Sequence, residues 1–556
     1  MKNWFWLFLF CVLSGCGSGL KDIDRRVDEL MFETSGAIGA KQPPVMFNSP
    51  IYSGDSLDNT APTTINPTGD ELGFTPATKL DGNEIAQSLD RAAEDLAASS
   101  EVLTLANALA WGDEHAKEMQ FAQYDYLSTT LSLLSELHLW GPRFYNTINT
   151  NLSAVSDDGL YDTSLDVVND FSITQKLPSG GSVSAGALTN IARDIHTAAT
   201  DNNSSSAITL SLDIPLLRGA GTVAKESLIQ SKRNLVYAAR SYERFRRTFY
   251  TNLVGDYLSL VVQKQSLENA QRGVDSLRQL AKRQAALYES GRTRLYDSAD
   301  AENQALAAVA RLSQSWERYR LSLDRFKIRI GWPIENTIQV QQTSLGVVPP
   351  SVSVVDAVGE ALLFRLDLQN EKDRVVDTQR SVENALNGLL PDVNFTASGS
   401  TDSDTDKPLR FGGEEIDYLA GLSISLPLDR KNEKITVRQR QITLERAKRS
   451  YQESRDNVTI SVRSALRNIE VYQFTLDLQE RNVNIAELGL DSINADPDRV
   501  SVLDQTRAIS DLQSAQDARD GAKKDLELSI INYLLQAGRL RIGGGGSLVL
   551  PAHNQE

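Results

Sequence analysis

The chain has 556 residues, enough for several domains, and 41% of them are apolar while 23% are charged. These proportions are typical of a folded protein and exclude a largely disordered chain. The formal net charge of -16 at pH 7 argues against a nucleic-acid partner, because binding to phosphates requires lysines and arginines that outnumber the neighbouring acids.

The N-terminal residues predict an export signal. Lys2 supplies a positive charge, residues 4–13 form an apolar run too short to span a bilayer stably, and Leu13-Ser14-Gly15-Cys16 follows. This arrangement resembles a bacterial lipoprotein signal, in which the cysteine becomes the lipidated first residue. We therefore predict a signal peptide over residues 1–15 and a covalent lipid, such as palmitate, on Cys16, with no other cofactor. An ordinary secretory signal and a short membrane anchor are the alternatives.

Cys11 and Cys16 are the only cysteines of the chain. The predicted signal contains Cys11 and the lipid occupies Cys16, so we expect no disulfide and a fold stabilised by packing. After Leu13, no stretch approaches the ~20 apolar residues of a membrane-spanning helix. If the chain crosses a membrane, it must do so as β-strands.

Residues 16–83 are rich in proline, asparagine, threonine, glycine and aspartate and show no sustained hydrophobic period. This composition predicts an extended, lipid-anchored tether. From residue 84 to Trp140, leucines recur at steps of three and four residues, which predicts helix. Trp140-Gly141-Pro142 ends this helical stretch.

Short alternations of apolar and small polar residues follow at 171–174, 183–186 and 208–212, and they predict β-strands. Gly180 and Gly181 lie where a hairpin turn would connect two of these strands. Strands with one apolar and one polar face are typical of membrane β-barrels.

Residues 222–289 contain no proline and predict a helix roughly 100 Å long. Within it, apolar residues such as Leu267, Val274 and Ala281 follow the period of coiled-coil packing. Ser290-Gly291 ends this helix, and a shorter helix is predicted over residues 296–330.

The second half of the chain repeats this order. Its predicted elements are a helix, two strands and a long helix, over residues 352–389, 393–398, 419–426 and 433–493. Ala238-Ala239-Arg240-Ser241-Tyr242 in the first long helix also matches Ala447-Lys448-Arg449-Ser450-Tyr451 in the second. We therefore predict two tandem repeats, residues 84–350 and 351–542, and a flexible C-terminal tail over 543–556.

The predicted strands form two groups separated by very long helices, so they cannot lie in one compact layer. We expect them to gather at one end of an elongated molecule. One chain offers too few strands to close a barrel, and open strand edges are not tolerated in lipid. Oligomerisation would supply the missing strands.

Five short motifs, in this order and spacing, resemble those of the TolC-like outer-membrane efflux proteins. They are LTLANAL at 103–109, PLLRG at 215–219, YESG at 288–291, FRLDL at 364–368 and SVLD at 501–504. The resemblance covers residues 84–542 and implies an α+β membrane protein with a long antiparallel coiled-coil α-helical barrel. The helical barrel would continue a β-barrel shared by three protomers, each of which gives about four strands.

The same resemblance implies a passive duct in the outer membrane of a Gram-negative bacterium, with a tunnel through the periplasm. Its partners would be two further copies of the chain, a periplasmic adaptor protein and an inner-membrane pump of the RND or ABC type. It would export small molecules, as in drug efflux, or proteins, as in type I secretion. The alternative is a lipid-anchored periplasmic coiled-coil protein that bridges membranes without a pore. No enzyme is expected, because the sequence lacks nucleophile, metal and nucleotide motifs.

Two segments depart from the family pattern. Residues 167–191 look like additional hairpin material between the usual strands, so the sequence leaves open which segments face lipid and which form a loop. The tip of the second repeat reads Asp496-Pro497-Asp498-Arg499, where relatives usually have a glycine-containing turn.

In this family, aspartates just past the second-repeat tip line the periplasmic aperture. Asp504 matches one of these positions, and the other falls on Ser501, where the acid is missing. Asp297 and Asp300 follow the tip of the first repeat, three residues apart and on one helix face. Acids early in a helix also favour the positive end of its dipole, so a purely structural role is the alternative for these aspartates.

Arg499 and Arg294 lie where ion pairs between helices could hold the aperture shut, although they too could have no such role. The tips are also where adaptor helices dock in this family, which makes Gly291, Arg294 and Asp498 candidate adaptor contacts. Gly291 equally suits a turn. The four histidines show no metal-ligand spacing, so we predict no metal site.

Overall fold

The structure, a computed structural model, describes residues 19–39, 101–157, 160–194, 203–403, 410–411, 416–495, 500–543 and 548–549. The predicted signal peptide and Cys16 lie outside the described residues, as do Asp498 and Arg499 at the second-repeat tip.

The described helices are α1 Gly19–Ala37, α2 Leu105–His115, α3 Lys117–His138, α4 Glu226–Glu289, α5 Leu295–Ile330, α6 Val354–Phe364, α7 Leu366–Asn387, α8 Lys431–Ala495 and α9 Val502–Gln536. The described strands are β1 Glu101–Leu103, β2 Arg143–Asp157, β3 Leu160–Lys176, β4 Ser182–Asp194, β5 Asn203–Pro215, β6 Ile338–Val340, β7 Asp392–Asp402, β8 Asp417–Ser425, β9 Arg541–Ile542 and β10 Leu548–Val549.

Helices of nearly equal length follow one another in the two halves of the chain. Helices α2 and α6 have 11 residues each, and α3 and α7 have 22 each. The long helices α4 and α8 have 64 and 65 residues, and α5 and α9 have 36 and 35. The long helices expected from the sequence are therefore confirmed, with ends that differ by only a few residues.

The first helical stretch of each half is divided into two helices, whereas the sequence pattern favours one. The break falls at Ala116 between α2 and α3 and at Arg365 between α6 and α7, and both residues have extended backbone. Tertiary contacts explain the breaks: Ala116 is completely buried, and the buried Arg365 donates a hydrogen bond of 2.9 Å to Gln536 Oε1.

Helix α1 corrects the predicted extended tether at residues 19–37, and residues 16–18 and 40–83 of that prediction lie outside the described residues. Residues 19–37 are helical because apolar positions recur there at helical spacing and no proline interrupts them. Val27 and Met31 are only 1% and 2% exposed, and Tyr126 of α3 donates a hydrogen bond of 3.3 Å to the carbonyl oxygen of Met31. The chain just after Cys16 therefore packs on the folded protein.

The chain divides into two compact units. Unit 1 contains Met1–Gly39, Asp125–Ser241 and Leu366–Asp456, and unit 2 contains Ala40–Tyr124, Tyr242–Arg365 and Asn457–Glu556.

Unit 1 contains a six-stranded antiparallel sheet in the order β2-β3-β4-β5-β7-β8. The resemblance implied about four strands. The difference arises at residues 167–191, most of which lie in β3 and β4, two regular strands of 17 and 13 residues. The predicted turn between them is confirmed, because Gly180 and Gly181 both have positive φ.

Unit 2 is held together by a core in which short strands meet the long helices. Strands β1 and β6 pair in parallel, and the buried Tyr257 of α4 has its hydroxyl 2.9 Å from the Leu103 carbonyl oxygen and 2.8 Å from that of Gln341. Trp332 packs against Trp111, with ring centroids 4.5 Å apart.

The end of α5 depends on a glycine. Gly331 and Gly291 have the same φ of 74°, which costs a residue with a side chain about 1–2 kcal/mol. A Cβ on Gly331 would lie 2.3 Å from the His115 carbonyl oxygen, whereas nothing lies within 4 Å of one on Gly291. We therefore expect Gly331→Ala to lower the melting temperature clearly more than Gly291→Ala does, as measured by circular dichroism. Equal shifts would contradict this.

Among the described residues, no helix is both long enough and apolar enough to pass through a bilayer.

Candidate functional site

The sheet of unit 1 has two chemically different faces, which run through all six strands. Paired residues of an antiparallel sheet point to the same side. The register Phe144-Ile173-Ala185-Leu210 therefore defines one face from β2 to β5. We call it the apolar face. Its apolar members are Phe144, Ile148, Leu152, Leu165, Val167, Phe171, Ile173, Val183, Ala185, Ala187, Ile191, Ile208, Leu210, Leu212, Ile214, Val393, Phe395, Ala397, Tyr418, Ala420, Leu422 and Ile424.

The opposite side, the polar face, carries mostly small polar residues. Its polar members are Thr147, Asn149, Asn151, Ser153, Ser164, Asp166, Asp170, Ser172, Ser184, Asn190, Ser205, Thr209, Ser211, Asp213, Asn394, Thr396, Ser398, Ser400, Ser423 and Ser425. Several join across strands: the hydroxyl oxygens of Ser153 and Ser164 lie 2.6 Å apart, as do those of Ser184 and Ser211. Such a face suits contact with water.

The apolar face is exposed in a single chain. Phe144, Leu210 and Leu422 are 65%, 55% and 57% exposed, on three different strands. A continuous apolar surface of this kind is unfavourable in water. The alternation of one apolar and one polar face is the pattern of transmembrane barrel strands, which direct the apolar face to lipid and the polar face to the lumen.

The structure brings Ser501 and Asp504 together at the start of α9. Ser501 is the N-cap, and its hydroxyl oxygen accepts a bond of 3.2 Å from the Asp504 backbone N–H. The same hydroxyl donates a bond of 2.7 Å to the Asp504 carboxylate. Both residues are exposed. The pair therefore stabilises the helix start and still leaves the carboxylate in contact with solvent.

The first-repeat residues occupy the corresponding place at the start of α5. Arg294 is the N-cap position but makes no side-chain capping bond. Thr293 donates a bond of 3.4 Å to the carboxylate of Asp297, which like Asp504 is the third residue of its helix. Asp300 lies one turn further along α5. Gly291 closes the preceding turn, and its N–H bonds to the Tyr288 carbonyl oxygen at 2.9 Å.

A cavity of about 450 Å³ lies between α4, α5 and α9, and the sequence analysis does not identify it. Leu503 and Arg507, which flank Asp504 along α9, are among its lining residues. The small residues Ala270 of α4 and Ala308 of α5 line the other sides of the cavity. Alanine at coiled-coil positions is the signal that could have indicated such a gap.

A charged cluster in unit 1 was also missed, because its members are far apart in the sequence. Asp377 of α7 accepts bonds of 2.6 Å from the Tyr237 hydroxyl and 2.8 Å from Arg380, and it forms an ion pair with Arg233. Arg380 also binds Glu226 at 3.2 Å. Burial, followed by the bond to Asp377, raises the pKa of Tyr237 to about 12, so this phenol remains a proton donor at neutral pH. The cluster joins α4 to α7.

No group of three or more potential metal ligands occurs within the described part of the chain. Together, the two-faced sheet and the long helices define an α+β fold whose sheet has the alternation of transmembrane barrel strands.

Comparison with known proteins shows which fold the chain shares. Residues 357–529 match the outer membrane efflux protein family. The structure resembles the CmeC outer membrane channel of Campylobacter jejuni, with a TM-score of 0.58 and 14% identity over 78% of this chain and 85% of that one. It also resembles the outer membrane protein VceC of Vibrio cholerae, with a TM-score of 0.59 and 15% identity over 78% of this chain and 96% of that one.

The open state of the MtrE outer membrane channel of Neisseria gonorrhoeae gives a TM-score of 0.57 at 14% identity, over 78% of this chain and 89% of that one. No curated protein matches the chain. The resemblance to TolC-like outer-membrane efflux proteins is therefore confirmed, and the expected location in the outer membrane of a Gram-negative bacterium agrees with it.

Proposed function

We propose that the protein is the trimeric outer-membrane duct of an export system, working with a periplasmic adaptor and an inner-membrane pump of the RND or ABC type. The two similar halves are tandem repeats, the sheets of three copies close one β-barrel, and the long helices form the tunnel that continues it. The cargo is a small molecule or a secreted protein selected by the pump, since a wide tunnel contacts its cargo loosely.

The observation that carries the proposal is the two-faced sheet. A periplasmic bridging rod, the alternative function, needs no strands with a continuous apolar face. The apolar and polar faces of β2 to β8 suit lipid on one side and a water-filled lumen on the other. Helices α4 and α8, each roughly 100 Å long, continue from the strands along the chain.

Planar-bilayer recording of the purified, full-length protein tests this proposal. We expect stepwise ion conductance that grows with salt concentration. A protein that binds liposomes through its lipid but gives no conductance at any voltage or salt concentration would instead be the bridging protein, and the proposal would be wrong.

We further propose that Asp504 contributes a ring of three carboxylates at the periplasmic aperture, where charge controls passage. We expect Asp504→Ala to raise single-channel conductance, or the antibiotic sensitivity of cells. One control separates charge from helix capping. Ser501→Ala removes the capping hydroxyl but keeps the carboxylate. Unchanged conductance of Asp504→Ala across a range of salt, or an equal rise with Ser501→Ala, contradicts the gate.

The remaining residues belong to this proposal in the roles that the resemblance gives them. Asp297, Asp300 and Arg499 lie at the aperture, with Ser501 as the cap beside Asp504. Gly291, Arg294 and Asp498 form the tips that the adaptor contacts. Cys16 carries the lipid. Crosslinking of the protein to its adaptor tests the assignment of the tips. We expect Arg294→Glu to reduce this crosslinking.

A further inference from the structure

We propose that each protomer inserts all six strands of its sheet, so that three copies close a barrel of eighteen strands. The resemblance implied about four strands per protomer and a barrel of about twelve. The inference depends on the proposed function, since it concerns the width of the same duct. The additional strands are the hairpin of β3 and β4.

The first argument is the continuity of the hairpin with its neighbours. Strand β3 pairs with β2 over 15 of its 17 residues, from Leu160 to Thr174, and β4 pairs with β5 from Ser182 to Ala192. Both strands, with 17 and 13 residues, exceed the ~9–11 residues needed to cross a bilayer. A loop folded over the barrel would not show this uninterrupted pairing on both sides.

The second argument is the chemistry of the hairpin. Phe171 and Ile173 of β3, and Val183 and Ala185 of β4, continue the apolar face between β2 and β5 without a change of side. Ser172 and Ser184 continue the polar face. Hairpin strands that lay outside lipid would have no reason to repeat the same alternation in the same register.

The third argument is the position of the open edges. Every described side chain of β2 from Phe144 onwards is exposed, and β8 is exposed except at Gly421. Most side chains of β4 are only partly exposed, because β3 and β5 flank it. The two strands that need a partner are therefore β2 and β8. In a trimer, β8 of one protomer would pair with β2 of the next, since an open edge is not tolerated in lipid.

The turn of the hairpin is also closely fitted. Gly181 has a φ of 81°, and a Cβ at this position would lie 1.9 Å from the Asp213 carbonyl oxygen at the end of β5. This close backbone approach places the β3–β4 turn beside the last residues of β5, at the end of the sheet where the chain continues towards α4.

A wider outer pore follows from the additional strands. Barrel diameter grows roughly in proportion to strand number, so eighteen strands give about 1.5 times the diameter of twelve. Barrels of this size hold a water-filled channel. The inference therefore concerns cargo size: the outer part of the duct admits bulkier solutes than a twelve-stranded barrel does.

Disulfide mapping in the assembled trimer tests which strands meet between protomers. The chain has only Cys11 and Cys16, so introduced cysteines are easily followed. Asn149→Cys in β2 or Asn190→Cys in β4 is combined with Leu419→Cys in β8, all on the polar face. Further cysteine pairs at neighbouring polar-face positions of the same strands allow for different registers between the protomers. We expect crosslinked trimers on a non-reducing gel from the β2–β8 pairs and none from the β4–β8 pairs.

Crosslinks from β4–β8 pairs would overturn the inference, because they would mean that only β4, β5, β7 and β8 form the wall. The proposed function would survive that result if the protein still conducts ions. It would fail separately if neither set crosslinks and no conductance is found.

Excision of residues 160–194 provides a second test. Residues 158–159 and 195–202 would then join β2 to β5 as a loop of ten residues. Removing two antiparallel strands preserves direction and face, so Phe144 and Leu210 would lie on the same side. Polyethylene glycols of increasing size are added on the outer side, and those that enter the pore lower its conductance. We expect the largest polymer that enters the variant to have about two-thirds of the radius of the largest one that enters the unaltered protein. An unchanged size limit in a conducting variant contradicts the inference, and a variant that does not assemble leaves the disulfide map to decide it.

Discussion

Replacing Asp377 by alanine is expected to lower the free energy of unfolding by about 2–3 kcal/mol, because two arginines and a phenol then lose the one carboxylate that they share. The Asp377 side chain is only 12% exposed and binds Tyr237, Arg233 and Arg380. Arg233 and Arg380 are themselves 27% and 20% exposed, so the loss leaves two positive charges partly shielded from water. The join between α4 and α7 should loosen first.

The melting temperature of the purified protein measures this effect, and Asp377→Asn separates charge from shape. Glu445→Ala is the matched control, since Glu445 forms an ion pair of 2.8 Å with Lys448, but both side chains are more than half exposed. Pairs of that kind contribute little. If Asp377→Ala and Glu445→Ala shift the melting temperature equally, the cluster has no special stabilising role.

Replacing Cys16 by alanine, in a chain given a cleavable signal, is expected to reduce the amount of assembled trimer in the outer membrane severalfold and to leave conductance per trimer unchanged. The physical reason is that, in the proposed function, the lipid would only hold the terminus at the membrane, whereas the strands would form the pore. Membrane fractionation and bilayer recording measure the two quantities separately. Loss of conductance from correctly assembled, unlipidated trimers would contradict the prediction.

Helix α1 provides a control that keeps the lipid. Val27→Asp together with Met31→Asp places charges in its buried face, and it should release α1 from Tyr126 without changing Cys16. If anchoring depends on the lipid alone, this variant assembles normally. If it also depends on the docked helix, the variant assembles as poorly as Cys16→Ala.

Much of the helical architecture could be predicted, because its signals are local. Ser290-Gly291 ends α4 and Gly331 ends α5 as expected, and Leu267 and Val274 are buried at their coiled-coil positions. Glycine supplies the left-handed conformation that each helix end requires. The similar order of helices in the two halves was visible for the same reason.

The sheet was harder to predict because its strands are stabilised by pairing with distant segments. Strand β2 is rich in asparagine, threonine and serine, and such a composition hides the alternation that identifies strands. In β3, polar Asn169 and Asp170 interrupt the pattern, so only residues 171–174 were predicted of a strand that has 17 residues. Backbone pairing with β2 and β4 stabilises this strand where its local sequence does not favour one.

Contacts between side chains show the same difference between local and distant signals. The capping interaction of Ser501 and Asp504 follows from their spacing of three residues, whereas a role of Asp504 in gating stays a prediction. The contacts of Asp377 could not be anticipated, since its partners Arg233 and Tyr237 lie more than a hundred residues earlier in the chain.

Strands β2 and β8 also make the unassembled protomer vulnerable during biogenesis. Their outer backbone groups are free to pair with any other strand, and an edge of this kind promotes aggregation. In the proposed trimer, each protomer therefore has to meet its neighbours faster than it meets a wrong partner. A lipidated terminus would confine newly exported copies to the membrane plane, where their effective concentration is far higher than in the periplasm. The anchor would then act mainly as a folding aid, and its importance should increase as the expression level falls.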